Sequence, residues 1–233
     1  MKILLTTTYY HPYVSGLTVY AKRLAEGLVK SGSEVTVVAM QHDRTLATGV
    51  DLGGVKIVRA RPILKINKGF LSIDYIRRIG QETRKADGVI VNLPQVEGWI
   101  AAVLGRIWKK RVVAIYTCDV VVTNPIVQSG LDWCNYLTLA MAHRIVTYTE
   151  DFARHSPMLR GFEDKTEWCY PPIPDLPVDE RLRQELKKRI GKTKIVIGIA
   201  ARLAAEKGVE YRQIAIDKPT LEDYFISMAK ETI

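Results

Sequence analysis

One short turn near the start of the chain gathers residue types that do chemistry. In "ILLTTTYYHPYVSGLTVY" an apolar run breaks at Tyr9, His11 and Pro12, passes Ser15, and meets Gly16 where helical spacing begins. A Gly between a strand and a helix lets a ligand come close to bare backbone, and the free N–H groups of the helix's first turn favour anionic groups. The same Gly also serves a plain turn, so the position alone leaves both readings open. His11 reads as a loop residue. No G-x-G-x-x-G is present, which disfavours a nicotinamide or flavin enzyme. The "GKT" at residues 191–193 has Leu186 where a phosphate-binding loop needs Gly, so no ATPase chemistry is credited to it.

The surrounding pattern says what must position that turn. "KILLTT" is a short apolar run of the kind a buried parallel strand makes, and Leu17, Tyr20, Leu24 and Leu28 then recur at helical spacing until Gly32. "EVTVVAM" and "GVKIVRAR" read as strands, and "DYIRRIGQETRKA" as a helix. A regular alternation follows: "GVIVNL" (strand), "VEGWIAAVLGRIWKK" (helix), "RVVAIYT" (strand), a helix around "SGLDWCNYLTLAMA", "RIVTYT" (strand) and "EDFARHSPML" (helix). Strands separated by helices of this length predict crossover units and a doubly wound parallel α/β sheet, Rossmann-like and covered on both faces.

The proline-rich "CYPPIPDLPV" cannot be regular structure and marks a boundary. The expected organisation is therefore a Rossmann-like domain over 1–178, then a linker helix and the first strand and helix of a second domain over 179–211, and a divergent tail over 212–233. The linker helix "DERLRQELKKRIG" places Leu182, Leu186 and Ile190 on one stripe.

Bulk properties bound the class. The chain has 233 residues, 47% hydrophobic and 25% charged, as an ordinary globular protein does, with a formal charge of +9 and pI near 9.4. That charge asks for an anionic partner. The clusters "RIWKKR" and "IRRIGQETRK" read as solvated helix ends, and no recognised module or aromatic-interleaved basic patch supports nucleic-acid binding. Cys118, Cys134 and Cys169 form no CxxC pair, which suits a reducing compartment. No signal-like opening and no apolar run of membrane-spanning length is present, so the expected location is cytoplasmic, with peripheral contact at the inner membrane face left open.

Four stretches, in order, carry a resemblance to the family 4 retaining glycosyltransferases. "HPYVSG" is similar to that family's first loop, P-P-x-x-G-G, keeping Pro12 and Gly16. "YTCDVV" and "AHRIVTYTEDFARHSPML" follow, and "IGIAARLAAEKGVEY" is similar to G-R-x-x-x-x-K-G, with Arg202, Lys207 and Gly208 matching and Ala201 in place of the first Gly. The resemblance covers residues 2 to about 211. It implies the GT-B arrangement, in which an N-terminal domain holds the acceptor and a C-terminal domain the nucleotide-sugar donor. It also implies no metal and no cofactor, which agrees with the absence of any D-x-D. Gly16, Arg202 and Lys207 would meet the donor phosphates, neutralising charge on the leaving nucleoside diphosphate. Tyr9, His11 and Ser15 would stand in the acceptor-side loop.

Two departures qualify the expectation. Thr117 occupies the place of a His that the family sets near the reacting sugar, leaving Asp119 as the neighbouring acceptor-side candidate, or equally as a cap on the next turn. The only E-x7-E spacing joins Glu26, in the first helix, to Glu34, in the loop before the second strand, where it cannot contact a donor sugar. The tail string Pro219, Thr220, Leu221, Glu222, Asp223 and Phe225 resembles the end of ABC-transporter ATP-binding subunits instead. The expected function is hexosyl transfer from a nucleotide sugar to a lipid-linked or polysaccharide hydroxyl by a truncated enzyme. The alternative is a non-catalytic acceptor-binding domain, or one subunit of a split enzyme working with a separate donor-domain chain.

Overall fold

The structure, a computed structural model, describes residues 1–66, 69–172 and 178–190. The predicted strand "KIVIGIA", the positions Arg202 and Lys207 and the tail lie outside the described residues. Within the unit Met1–Pro174 the elements run β1 (Lys2–Thr6), α1 (Gly16–Lys30), β2 (Glu34–Met40), β3 (Gly49–Leu52), β4 (Val55–Ala60), β5 (Leu64–Ile66), β6 (Gly69–Leu71), α2 (Ile73–Lys85), β7 (Gly88–Asn92), α3 (Gly98–Ile107), β8 (Arg111–Ile115), α4 (Pro125–Met141), β9 (Arg144–Thr147), α5 (Glu150–His155) and β10 (Thr166–Trp168). Helix α6 (Glu180–Ile190) belongs to the second unit, and Asp179 caps it by accepting from the Arg181 and Leu182 N–H groups.

Eight strands form one sheet in the order β10-β9-β8-β7-β1-β2-β4-β3, and every pairing is parallel except β3 with β4. Alternation along each strand sorts the side chains. Leu4, Val38, Val89, Val91, Val112 and Ile145 pack with Tyr75, Ile79, Ala101, Ala102 and Leu139 of α2, α3 and α4. Leu5, Val35, Val37 and Ile57 point the other way, against Ala21 and Ala25 of α1. Each such aliphatic side chain stabilises the fold by roughly 1.5–3 kcal/mol when fully buried. The doubly wound architecture predicted from the alternation is therefore present.

Local chemistry sets the helix ends. Ser15 Oγ accepts from Thr18 N–H at 3.3 Å while Thr18 Oγ1 accepts from Ser15 N–H at 2.8 Å, a reciprocal cap that starts α1. Ser72 Oγ caps α2 by accepting from the Tyr75 N–H, and Asn124 Oδ1 caps α4 by accepting from the Ile126 and Val127 N–H groups, with Pro125 in its first turn. Helix α3 lies unusually close to the sheet: a Cβ on Gly105 would come within 2.6 Å of Val112 Cγ2.

The structure differs from the sequence reading in several places, among them the short strands β5, β6 and β10, which that reading did not name. Glu34 opens β2 and does not lie in the loop before it. The edge strand β3 was not anticipated; it turns back onto β4 through Gly53 and Gly54, whose φ of +60° and +78° few other residues adopt. Helix α3 stops at Ile107, and Lys109 takes a positive φ of 54°, which ends the predicted run to Lys110. The helix after β9 ends at His155, because Pro157 cannot continue it and opens a 3-10 turn over Pro157–Leu159.

Candidate functional site

Strand order places a crevice. From β1 the chain crosses over α1 to β2 on one side, whereas β7 crosses over α3 to β8 on the other. The order therefore reverses between β1 and β7, and ligands of open α/β sheets bind outside the carboxyl ends of the strands at such a switch point. Three loops meet there, after β1, β7 and β8.

The floor between β1 and β7 is polar and interlocked. Thr6 Oγ1 donates to Gln95 Oε1 at 3.2 Å, Gln95 Nε2 donates to the Tyr75 hydroxyl, and that hydroxyl donates to Thr7 O at 3.3 Å. Asn92 Nδ2 donates to Thr7 Oγ1 at 3.4 Å, and Thr7 Oγ1 in turn donates to Tyr9 O at 3.1 Å. The network ties the first loop to α2 and to the loop after β7. Both loops carry a cis peptide bond, His11–Pro12 and Leu93–Pro94.

The first loop is fastened from below and paved with rings. Arg59, buried at the end of β4, donates from Nη2 to His11 O at 2.9 Å and from Nη1 to Ala47 O at 3.0 Å. Tyr9 and Tyr13 stack with centroids 4.5 Å apart, and His42 meets Tyr13 edge-on at 5.4 Å. Burial lowers the His11 imidazole below its ordinary value, helped by Lys22 and Arg59 and opposed by Glu26. Ser15 is committed to the cap of α1. At Gly16, the first residue of that helix, no atom lies within 4 Å of where a Cβ would stand, so the protein leaves that place open.

At the end of β8, Asp119 Oδ1 accepts from the Tyr116 hydroxyl at 2.8 Å and from Ser156 Oγ at 2.8 Å. The carboxylate is thus held from two sides, and burial followed by Asp119 pushes the Tyr116 phenol well up. Thr117 Oγ1 is buried beside Cys118 and Tyr148. The Tyr148 ring lies 4.9 Å from that of Tyr20 on α1. Burial, then Asp119, raises the Cys118 thiol, which removes it as a thiolate nucleophile at neutral pH.

Glu97 sits just ahead of α3, buried, with Oε1 lacking a hydrogen-bond partner; its carboxyl is pushed up by burial and faces Tyr75 and Cys134. Among the described residues no group of three or more His, Cys, Asp or Glu is placed to hold a metal ion.

The structure thus gathers Tyr9, His11, Ser15 and Gly16 on one loop of the crevice and Thr117 and Asp119 on another, while Arg202 and Lys207 are outside the described residues. The sequence reading passed over Arg59, Tyr13, His42, Tyr75, Asn92, Gln95 and Glu97. The available signal was "NLPQVEG", a polar, Pro-containing loop directly after a buried strand.

A doubly wound sheet with a polar switch point is an open α/β domain of the kind that holds ligands beyond the carboxyl ends of its strands. Residues 15–166 match the glycosyl transferase 4-like domain, and the chain belongs to that family. A stretch of 64 residues is 44% identical to an uncharacterized glycosyltransferase (MJ1607) of Methanocaldococcus jannaschii, covering 27% of this chain and 16% of that one. Among solved structures, Alr3699/HepE of Anabaena, crystallised with UDP-glucose, is similar with a TM-score of 0.55 and 15% identity, over 80% of this chain and 50% of that one. Sucrose-phosphate synthase from Thermosynechococcus elongatus gives 0.52 and 13%, over 79% and 52%. At such identities the structures share the fold. This chain spans about half the length of each.

Proposed function

We propose that the unit Met1–Pro174 is the acceptor-side half of a retaining glycosyltransferase, which moves a hexosyl group from a nucleotide sugar to a hydroxyl of a lipid-linked or polysaccharide acceptor. The observation that carries the reading is the switch-point crevice, where a fastened first loop leads to an unobstructed Gly16 at the start of a helix. In the reaction the bond from the anomeric carbon to the diphosphate oxygen breaks. The acceptor oxygen bonds to that carbon on the same face, and its proton leaves on the nucleoside diphosphate.

In this reading the N–H groups at the start of α1, with Arg202 and Lys207, offset the negative charge of the leaving group. Asp119, with one oxygen fixed by Tyr116 and Ser156, orients the acceptor hydroxyl through the other. Thr117, where the resembling family has His, keeps its hydroxyl buried beside Cys118 and Tyr148 and shapes the wall near the sugar. Tyr9 and Tyr13 supply an apolar face for a pyranose ring. In this reading the work is done in the cytoplasm.

The test is incubation of the 233-residue chain with radiolabelled nucleotide sugars and glycan acceptors, alongside an Asp119→Ala variant. Transfer that falls roughly 100-fold in the variant supports the reading. Neither transfer nor donor hydrolysis removes catalysis by this chain. A second reading is that the unit binds acceptor while a separate chain brings the donor; the crevice walls formed by β1, β7 and β8 all come from the one unit. Calorimetric acceptor binding without turnover selects it.

A further inference from the structure

Helix α4 buries Cys134, Asn135, Thr138 and Leu139 against the sheet, yet its outer side is apolar as well: Ile126, Trp133 and Tyr136 stand 82%, 58% and 55% exposed. Positions 126, 130, 133 and 137 share one stripe at helical spacing, none of them charged, and the helix's single charge is Asp132. The outer face of a helix on a globular protein ordinarily carries charged and polar residues.

Helix α3 lies alongside. Its Trp99 ring meets Trp133 edge-on at 5.9 Å, and its last residue, Ile107, is 64% exposed. The α4 stripe runs towards the turn that holds His143, and cations from separate segments converge there. Arg84 lies 5.1 Å over the Trp108 ring, Lys110 Nζ reaches Arg84 O at 3.3 Å, and Arg106 Nη1 is 2.6 Å from His143 Nε2. Burial, then Arg106, Arg111 and Lys165, hold the His143 imidazole below its ordinary value against the opposing hydrogen bond with Val112.

A contiguous exposed apolar face marks a docking surface, and a cationic rim with Trp at its edge selects an anionic, partly apolar occupant. A nucleic acid satisfies the rim and leaves the stripe in water. A bilayer satisfies both. We propose that the outer face of α3 and α4 docks on a membrane containing anionic lipid, the two helices lying along the headgroup plane. Both helices begin at the carboxyl edge of the sheet, so this pose brings the switch-point crevice beside the headgroups, where a lipid-linked acceptor presents its sugar. That benefit rests on the proposed transfer reading; the surface itself does not.

The experiment co-sediments the full chain with phosphatidylcholine vesicles, with and without about 30% phosphatidylglycerol, at two salt concentrations. The expected result is binding to the anionic vesicles, a blue shift of Trp emission, and weakening by salt. Ile126→Asp with Trp133→Glu, and separately Lys109→Glu with Lys110→Glu, should each lower partitioning by roughly tenfold. These positions are at the surface, and circular dichroism verifies that each variant folds. Absence of vesicle binding, equal binding to neutral vesicles, or undiminished binding by both variants overturns the proposal. Self-association abolished by Trp133→Glu without vesicle binding also overturns it, in favour of a second copy. The vesicles carry no glycan, so the outcome is separate from the transfer test, and either idea fails without the other.

Discussion

Glu97 keeps an ionisable group where water does not reach. Burial raises its carboxyl above the ordinary 4.5, and the unfolded chain provides no such burial. The folded state therefore prefers the protonated acid. Its contribution to stability is fully present below the unfolded value and is lost as pH rises through the raised folded value. Glu97→Gln holds the neutral shape at every pH. Thermal melts across about pH 4 to about pH 8 should show the variant gaining on the parent as pH increases, and parallel curves would refute the assignment. Asp119 is the contrasting carboxylate, exposed and fixed in place by two hydroxyl donors.

At the level of elements, caps and close approaches decide which segments tolerate change. Ser15→Ala removes one half of the reciprocal cap of α1 and should cost about 1 kcal/mol, read from urea unfolding. Gly105→Ala forces a methyl against Val112 and should cost about 1–3 kcal/mol; an unchanged midpoint would mean that α3 shifts freely. The same comparison shows which elements were legible beforehand. β1, α1, β2 and β7 announce themselves because buried strands read as apolar runs and α1 repeats at helical spacing. β3 does not, since Gly49–Leu52 buries no side chain and only the Gly53–Gly54 pair betrays the turn. Likewise Gly16 and Pro12 point to the first loop, whereas the Thr6–Gln95–Tyr75 chain joins three separate segments, and no local spacing encodes it.

For the molecule as a whole, binding at the crevice must appear as stability, because a ligand that grips the native state alone shifts the folding equilibrium. An acceptor glycan at about 100 times its Kd should add about 2.7 kcal/mol, visible as a rise in melting temperature. No rise across a panel of glycans and nucleotide sugars would argue against a binding-competent crevice. No helix among the described residues is long and apolar enough to cross a membrane. The two flanks of the sheet carry a further consequence. One ends in β10, three residues long with Glu167 paired to Arg144 at 3.0 Å, and the other in the four-residue β3, which bears Asp51. Neither offers a stranger's backbone much length or neutrality to hydrogen-bond along, so edge-to-edge recruitment of further chains is disfavoured at both of these flanks.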